Sequence, residues 1–242
     1  MKQSILQLIA VSAFFFLSFS PVNGQKLLKN LKTYSKEVVT EFDQIPEERK
    51  EHLRELGDYI YQKRANSVPV KLTVICTHNS RRSHIGQMWL NVAATWYGIG
   101  EVSTFSGGTE TTAFNPRAVA ALNRAGFKIT KTNNAENTAY KGRYLKGRQA
   151  EVLMYSKKFD DTQNPSDNFA AIMVCSEADQ SCPVVPGAEA RFSLPFEDPR
   201  YYDNTSSEEM EYDKTVRLIA RELFFAMHHA KEQLILDIEK QK

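Results

Sequence analysis

The chain has 242 residues, 42% hydrophobic and 25% charged, with a formal charge of +2, which suits one globular domain with appendages. Basic and acidic residues interleave and no Lys/Arg stripe is interspersed with aromatic side chains, which argues against a nucleic-acid binder. Three cysteines exclude a disulfide scaffold, and the odd count points to at least one thiol with a chemical role.

Residues 1–24 read as a secretory signal peptide. Lys2 supplies a positive start, Ile5 to Phe19 an apolar stretch, and Val22, Asn23 and Gly24 the positions before a cut. The apolar run falls short of the ~20 residues that a spanning helix needs; a retained anchor is the alternative. Export would place the mature chain outside the cytoplasm, a bacterial periplasm being the expected compartment, with no membrane association after cleavage.

Residues 25–66 form a charged extension with helical spacing: Leu27, Leu28, Leu31, Tyr34 and Val38, then Leu53, Leu56 and Ile60. Two helices are expected, the second opening near Pro46 with acidic residues behind it. They either pack on the domain or form an arm for a partner.

Residues 67–242 read as an α/β domain. Leu72, Val74 and Ile75 belong to a short strand that runs into a polar loop from Cys76 to Ser83. Ile85, Met88, Trp89, Val92, Ala93 and Trp96 then follow helical spacing. A cysteine six positions before an arginine, between a strand end and a helix start, makes a workable oxyanion site. Loop amides and the helix dipole favour an anion there, and Arg82 adds a two-pronged donor. The same positive groups favour the nucleophilic thiolate of Cys76. The bland alternative is a buried structural cysteine beside surface arginines.

Further along, Glu101 to Phe105 reads as a strand ending in a flexible Ser106-Gly107-Gly108 turn. Asn115-Pro116 opens a helix that stops near Gly126. Thr130 to Gly147 reads as a polar loop, a candidate lid. Ala150 to Tyr155, Phe169 to Val174 and Arg191 to Phe196 read as strands, and Ser206 to Lys240 as a long helix. Strands alternating with helices point to a parallel sheet with helices on both faces, its ligand crevice at the carboxyl ends of the strands. Cys175 and Cys182 lack the companions of a mononuclear zinc site; a static disulfide between them is one reading, and redox chemistry the other.

The run Cys76-Thr77-His78-Asn79-Ser80-Arg81-Arg82-Ser83 resembles the Cys-x5-Arg-Ser phosphate loop of low-molecular-weight protein tyrosine phosphatases and thioredoxin-coupled arsenate reductases. The segment from Ser106 to Phe127, S-G-G-T-E-x4-N-P-R-A-x2-A-L-x3-G-F, is similar to the one that follows the loop helix in both families. The resemblance implies a three-layer, four-stranded parallel sheet, with Asp198, before Pro199, as general acid. The segment Cys175-S-E-A-D-Q-S-Cys182-P resembles the redox segment of the arsenate reductases. By that likeness Cys76 attacks arsenate, Cys175 displaces arsenite, and Cys182 resolves the disulfide for a thioredoxin-like reductant, with no metal or organic cofactor. His78 stands where the loop usually has glycine, and Arg81 where it often has cysteine. The alternatives are a phosphatase cleaving a phosphomonoester through a phosphocysteine, with Tyr201 and Tyr202 as an aromatic wall, and an inactive protein that binds an oxyanion or a partner.

Overall fold

The structure of the protein, a computed structural model, describes residues 26–147 and 151–240. The stretch read as an export signal, residues 1–24, lies outside the described residues. Among the described residues no helix is long and apolar enough to cross a membrane.

The central strand, β1 (Val70–Cys76), is buried at six of its seven positions, as its β-branched run requires. It pairs in parallel with β2 (Val102–Gly108) on one side and β6 (Phe169–Met173) on the other; β7 (Ala188–Ser193) completes a four-stranded parallel sheet in the order β2-β1-β6-β7. The chain leaves β1 towards β2 and later returns to β1's opposite side. The carboxyl end of β1 is therefore a switch point, where such sheets bind ligands. Register settles what meets there. Ile75 pairs with Met173, so Cys76 and Cys175 follow one and two positions beyond paired residues on neighbouring strands.

Helices flank the sheet unevenly. On the face of Val74, Ile172 and Phe192 lie α3 (Arg82–Tyr97), with Gly86 against Val74, and α2 (Glu47–Ala65), with Tyr59 edge-on to Phe192. The long α6 (Glu208–Lys240) packs on both, and α4 (Pro116–Ala125) packs on α6. The opposite face meets Phe159, which sits on Gly107, and the short α5 (Ser176–Ser181), whose Asp179 takes bonds from Arg191 and Ser193. Helix α4 starts as expected: the Asn115 side chain accepts from the Arg117 amide at 2.9 Å, and Gly126 ends the helix at φ 111°.

The polar stretch expected to be a loop folds into a second sheet. Strands β3 (Lys128–Lys131), β4 (Tyr140–Arg143) and β5 (Glu151–Met154) pair antiparallel, so the strand expected at 150–155 lies outside the main sheet. Each strand has four residues and buries only one or two, among them Ile129, Tyr140 and Met154. Alternation that short leaves no readable period.

The N-terminal segment packs on the domain. Helix α1 (Lys29–Val38) and α2 bury Leu31, Val38, Leu53, Leu56 and Ile60. Each such side chain contributes roughly 1.5–3 kcal/mol of transfer free energy. Helix α2 lies so close to α6 that a Cβ on Gly57 would sit 2.7 Å from the Ala226 carbonyl oxygen.

Candidate active site

The loop from Cys76 to Arg82 is a cup built by turning its carbonyls outward. Cys76 O accepts from the Thr109 amide, Thr77 O from the Glu110 amide at 2.8 Å, His78 O from the Ser156 hydroxyl at 2.8 Å, and Ser80 O from the Asn115 amide at 2.9 Å. Among the described residues, none of the amides from Thr77 to Arg81 has an acceptor. Those amides and the open first turn of α3 make a nest for an anion. Gly108 makes room for it, since a Cβ there would lie 2.6 Å from Thr77 O and 2.8 Å from Asn79 N.

Asn79 holds the cup in shape. Buried and in the left-handed region at φ 45°, it accepts from the Lys157 amide at 2.9 Å and donates to the Ser83 hydroxyl at 2.9 Å. Ser83 Oγ in turn lies 3.1 Å from Cys76 Sγ, within hydrogen-bond reach of a thiolate. Beneath the loop, His84 pairs with the Ser106 hydroxyl at 3.2 Å. Burial, reinforced by the nearby Lys157 charge, holds its imidazole well below the usual histidine range, so it is neutral. Lys157 itself is pushed down to about 8 by burial.

The other loop side chains reach away from the cup. Thr77 Oγ1 lies 3.4 Å from Cys175 Sγ and 3.2 Å from Glu177. His78 stands 3.4 Å from Glu110, and Ser80 bonds Ala113 O. Arg81 donates to Tyr212 at 2.9 Å and to Asp203 at 3.4 Å, and its Nε lies 3.9 Å from Asp198, so its guanidinium ties the loop to α6 and to the Asp198 turn.

Arg82 is 7% exposed and donates through Nη1 to Phe196 O at 2.7 Å and through Nη2 to Asp198 at 2.6 Å. Its Nε is buried and has no partner among the described residues. Asp198 is buried beside it and also accepts from the Arg200 amide at 3.0 Å, whereas Glu197 is exposed. Arg82, Cys175, Phe196, Asp198, Arg200 and Tyr201 line one groove of about 410 Å³. Thr77, Glu110, Phe159, Glu177 and Cys182 line another of about 490 Å³.

All three cysteines are free thiols, so the static Cys175–Cys182 disulfide is not formed. Cys175 is buried and caps α5, its sulfur accepting from the Ala178 amide; Cys182 is half-buried at the other end of that helix. The structure thus brings Cys76, Arg82, Asp198 and Cys175 together, and sets Cys182 on the wall of the other groove, with Thr77 and Glu177. Sequence reasoning passed over Lys157, Ser156 and Asp203, which shape the loop from distant parts of the chain. Glu177 lay unremarked between the two distal cysteines.

No family model matches the chain. Arsenate reductase 2 of Staphylococcus haemolyticus is 28% identical over 127 residues, which are 52% of this chain and 75% of that protein. The arsenate reductase of Bacillus subtilis is 27% identical over 143 residues, 59% of this chain and 84% of that protein. Over those spans the chain is similar to proteins named arsenate reductases. A low-molecular-weight phosphotyrosine phosphatase structure from Vibrio cholerae O395 is 16% identical with a TM-score of 0.41, covering 71% of this chain and 98% of that one. Both curated relatives carry the names of enzymes, and this chain presents a thiol, a guanidinium and a carboxyl group around one anion cup.

Proposed function

We propose that the protein is an arsenate reductase-like enzyme working through Cys76, Cys175 and Cys182. The observation that carries the reading is the approach of the Cys175 sulfur to within 3.4 Å of Thr77, the residue next to Cys76. The curated relatives, themselves named arsenate reductases, support it.

Arsenate settles on the loop amides and the free Arg82 donor. The Cys76 thiolate attacks arsenic, and an oxygen departs as water with a proton from Asp198. The Cys175 thiolate then attacks the Cys76 sulfur. The sulfur–arsenic bond breaks, its electron pair stays on arsenic as arsenite leaves, and a Cys76–Cys175 disulfide remains. Cys182 attacks Cys175 and expels the Cys76 thiolate. An external thioredoxin-like dithiol reduces the Cys175–Cys182 disulfide and closes the cycle. That last bond makes a demand on the fold. Cys175 and Cys182 cap opposite ends of α5, and seven residues of helix separate Cα atoms by roughly 10 Å, beyond the ~7 Å that a disulfide tolerates. Helix α5 therefore unwinds during turnover. If residues 1–24 direct export, the dithiol partner is exported too.

A second reading, hydrolysis of a phosphomonoester, is favoured by the 2.6 Å contact of Arg82 with Asp198 and by Tyr201, 71% exposed on the same groove. It needs no reductant. The test compares arsenate plus a thioredoxin system with p-nitrophenyl phosphate, for wild type and for Cys182→Ser. The relay expects arsenite from wild type and at most one turnover from the variant, with ester hydrolysis unaffected. Ester hydrolysis without arsenite from wild type would reverse the order of the two readings. No turnover on either, unchanged by Cys76→Ser, would leave an oxyanion- or partner-binding protein.

A further inference from the structure

The segment that brings Asp198 to the loop is neither helix nor strand from Leu194 to Asp198, so contacts with its neighbours must fix it. The sheet and the loop hold Phe196 by its backbone: its amide donates to Val174 O at 3.1 Å, and its carbonyl accepts from Arg82 at 2.7 Å. The Leu194 amide donates to Met173 O at 2.8 Å, and a further hold comes from the N-terminal extension. Arg49, on α2, donates to the Pro195 carbonyl at 3.2 Å, and its guanidinium carbon lies 5.0 Å from the centre of the Phe196 ring. Arg49 is itself anchored, because Nε bonds the buried Glu222 of α6 at 2.8 Å. A buried carboxylate binds its partner in one geometry, and a planar guanidinium can stack and donate at once.

We infer that Arg49 is a positioning residue, contributed by the N-terminal helical extension, that sets where Asp198 stands relative to Cys76 and Arg82. The inference rests on the reading of Asp198 as the acid for the departing oxygen. It gives the extension a part in the chemistry without contact with substrate. A misplacement of about 1 Å can cost as much as a hundredfold in rate, and a guanidinium gripping two consecutive residues just before the acid controls a shift of that size.

Arg49→Lys tests this, because lysine keeps a cation for Glu222 and loses the stack and the second donor. Turnover is measured on phenyl phosphate, whose leaving oxygen needs a proton, and on p-nitrophenyl phosphate, whose leaving oxygen needs one much less. The expected result is a fall in kcat of about tenfold on the first ester and under about twofold on the second, with KM and melting temperature little changed. Asp198→Asn should show the same selectivity with a larger loss, and Arg49→Lys added to it should cost nothing more. Equal losses on both esters, no loss, or an additive double variant overturns the positioning role. Failure of the underlying reading looks different: Asp198→Asn itself then costs the two esters equally or nothing. Wild-type protein inert towards both esters and towards arsenate removes that reading and takes this inference with it.

Discussion

Asn79 donates to the Ser83 hydroxyl at 2.9 Å, and through it the loop's backbone is tied to the sulfur of Cys76 3.1 Å further on. One amide side chain thus links the far wall, through the Lys157 amide, to the Cys76 sulfur.

Asn79→Ala should therefore cost both stability and activity. It strands a buried Lys157 amide, at about 1–3 kcal/mol, and forces alanine into the left-handed region, at about 1–2 kcal/mol more. Asn79→Gly removes the second cost only. Urea denaturation should rank wild type as the most stable, Asn79→Gly next and Asn79→Ala last, with turnover impaired in both variants. Equal stability of the two variants would mean that the φ of 45° carries no strain.

Arg82→Lys should weaken ligand binding more than folding. Lysine cannot reach Phe196 O and Asp198 together and still present the donor that Arg82 Nε leaves free. In a Cys76→Ser background, the calorimetric Kd for arsenate should rise by about tenfold or more, that is about 1.4 kcal/mol. An unchanged Kd would place the anion elsewhere.

Gly57→Ala sets two effects against each other. Helix propensity favours alanine by about 1 kcal/mol, but the new Cβ would sit 2.7 Å from Ala226 O and 2.8 Å from the His229 ring. Moving α2 off α6 costs about 1–3 kcal/mol. A net loss is expected in chemical denaturation, and a gain would show that the two helices separate freely.

Lys157 penalises folding at neutral pH. Its folded value, pushed down to about 8 by burial, lies below the ordinary lysine value of about 10.4. Between the two the unfolded chain binds more proton, so stability rises with pH across roughly 8 to 10.4. Below pH 8 the penalty is fully present, at most roughly 3 kcal/mol. Lys157→Met should stabilise at pH 7 and lose that advantage near pH 10.5. An advantage independent of pH would place its origin in packing.

Local pattern determined much of this protein: β1, the loop, α3, the capped α4 and long α6 could all be read from runs and spacings that involve neighbours in the chain. The candidate cysteine and arginine could be picked out from their place between a strand end and a helix start, whereas Asp198 entered only through the family resemblance. The three-stranded antiparallel sheet could not, since strands of four residues carry no usable period and exist through pairing. Nor could the roles of Asn79, Lys157 and Arg49. Their partners lie 78 residues away for Asn79 and 146 or more for Arg49, and only the packing of β1 between β2 and β6, with α2 laid across α6, brings such groups within hydrogen-bond distance. Free thiols at opposite ends of α5, rather than a bridge, were likewise a matter of tertiary structure, because a short helix keeps apart two residues that sequence spacing alone leaves able to meet.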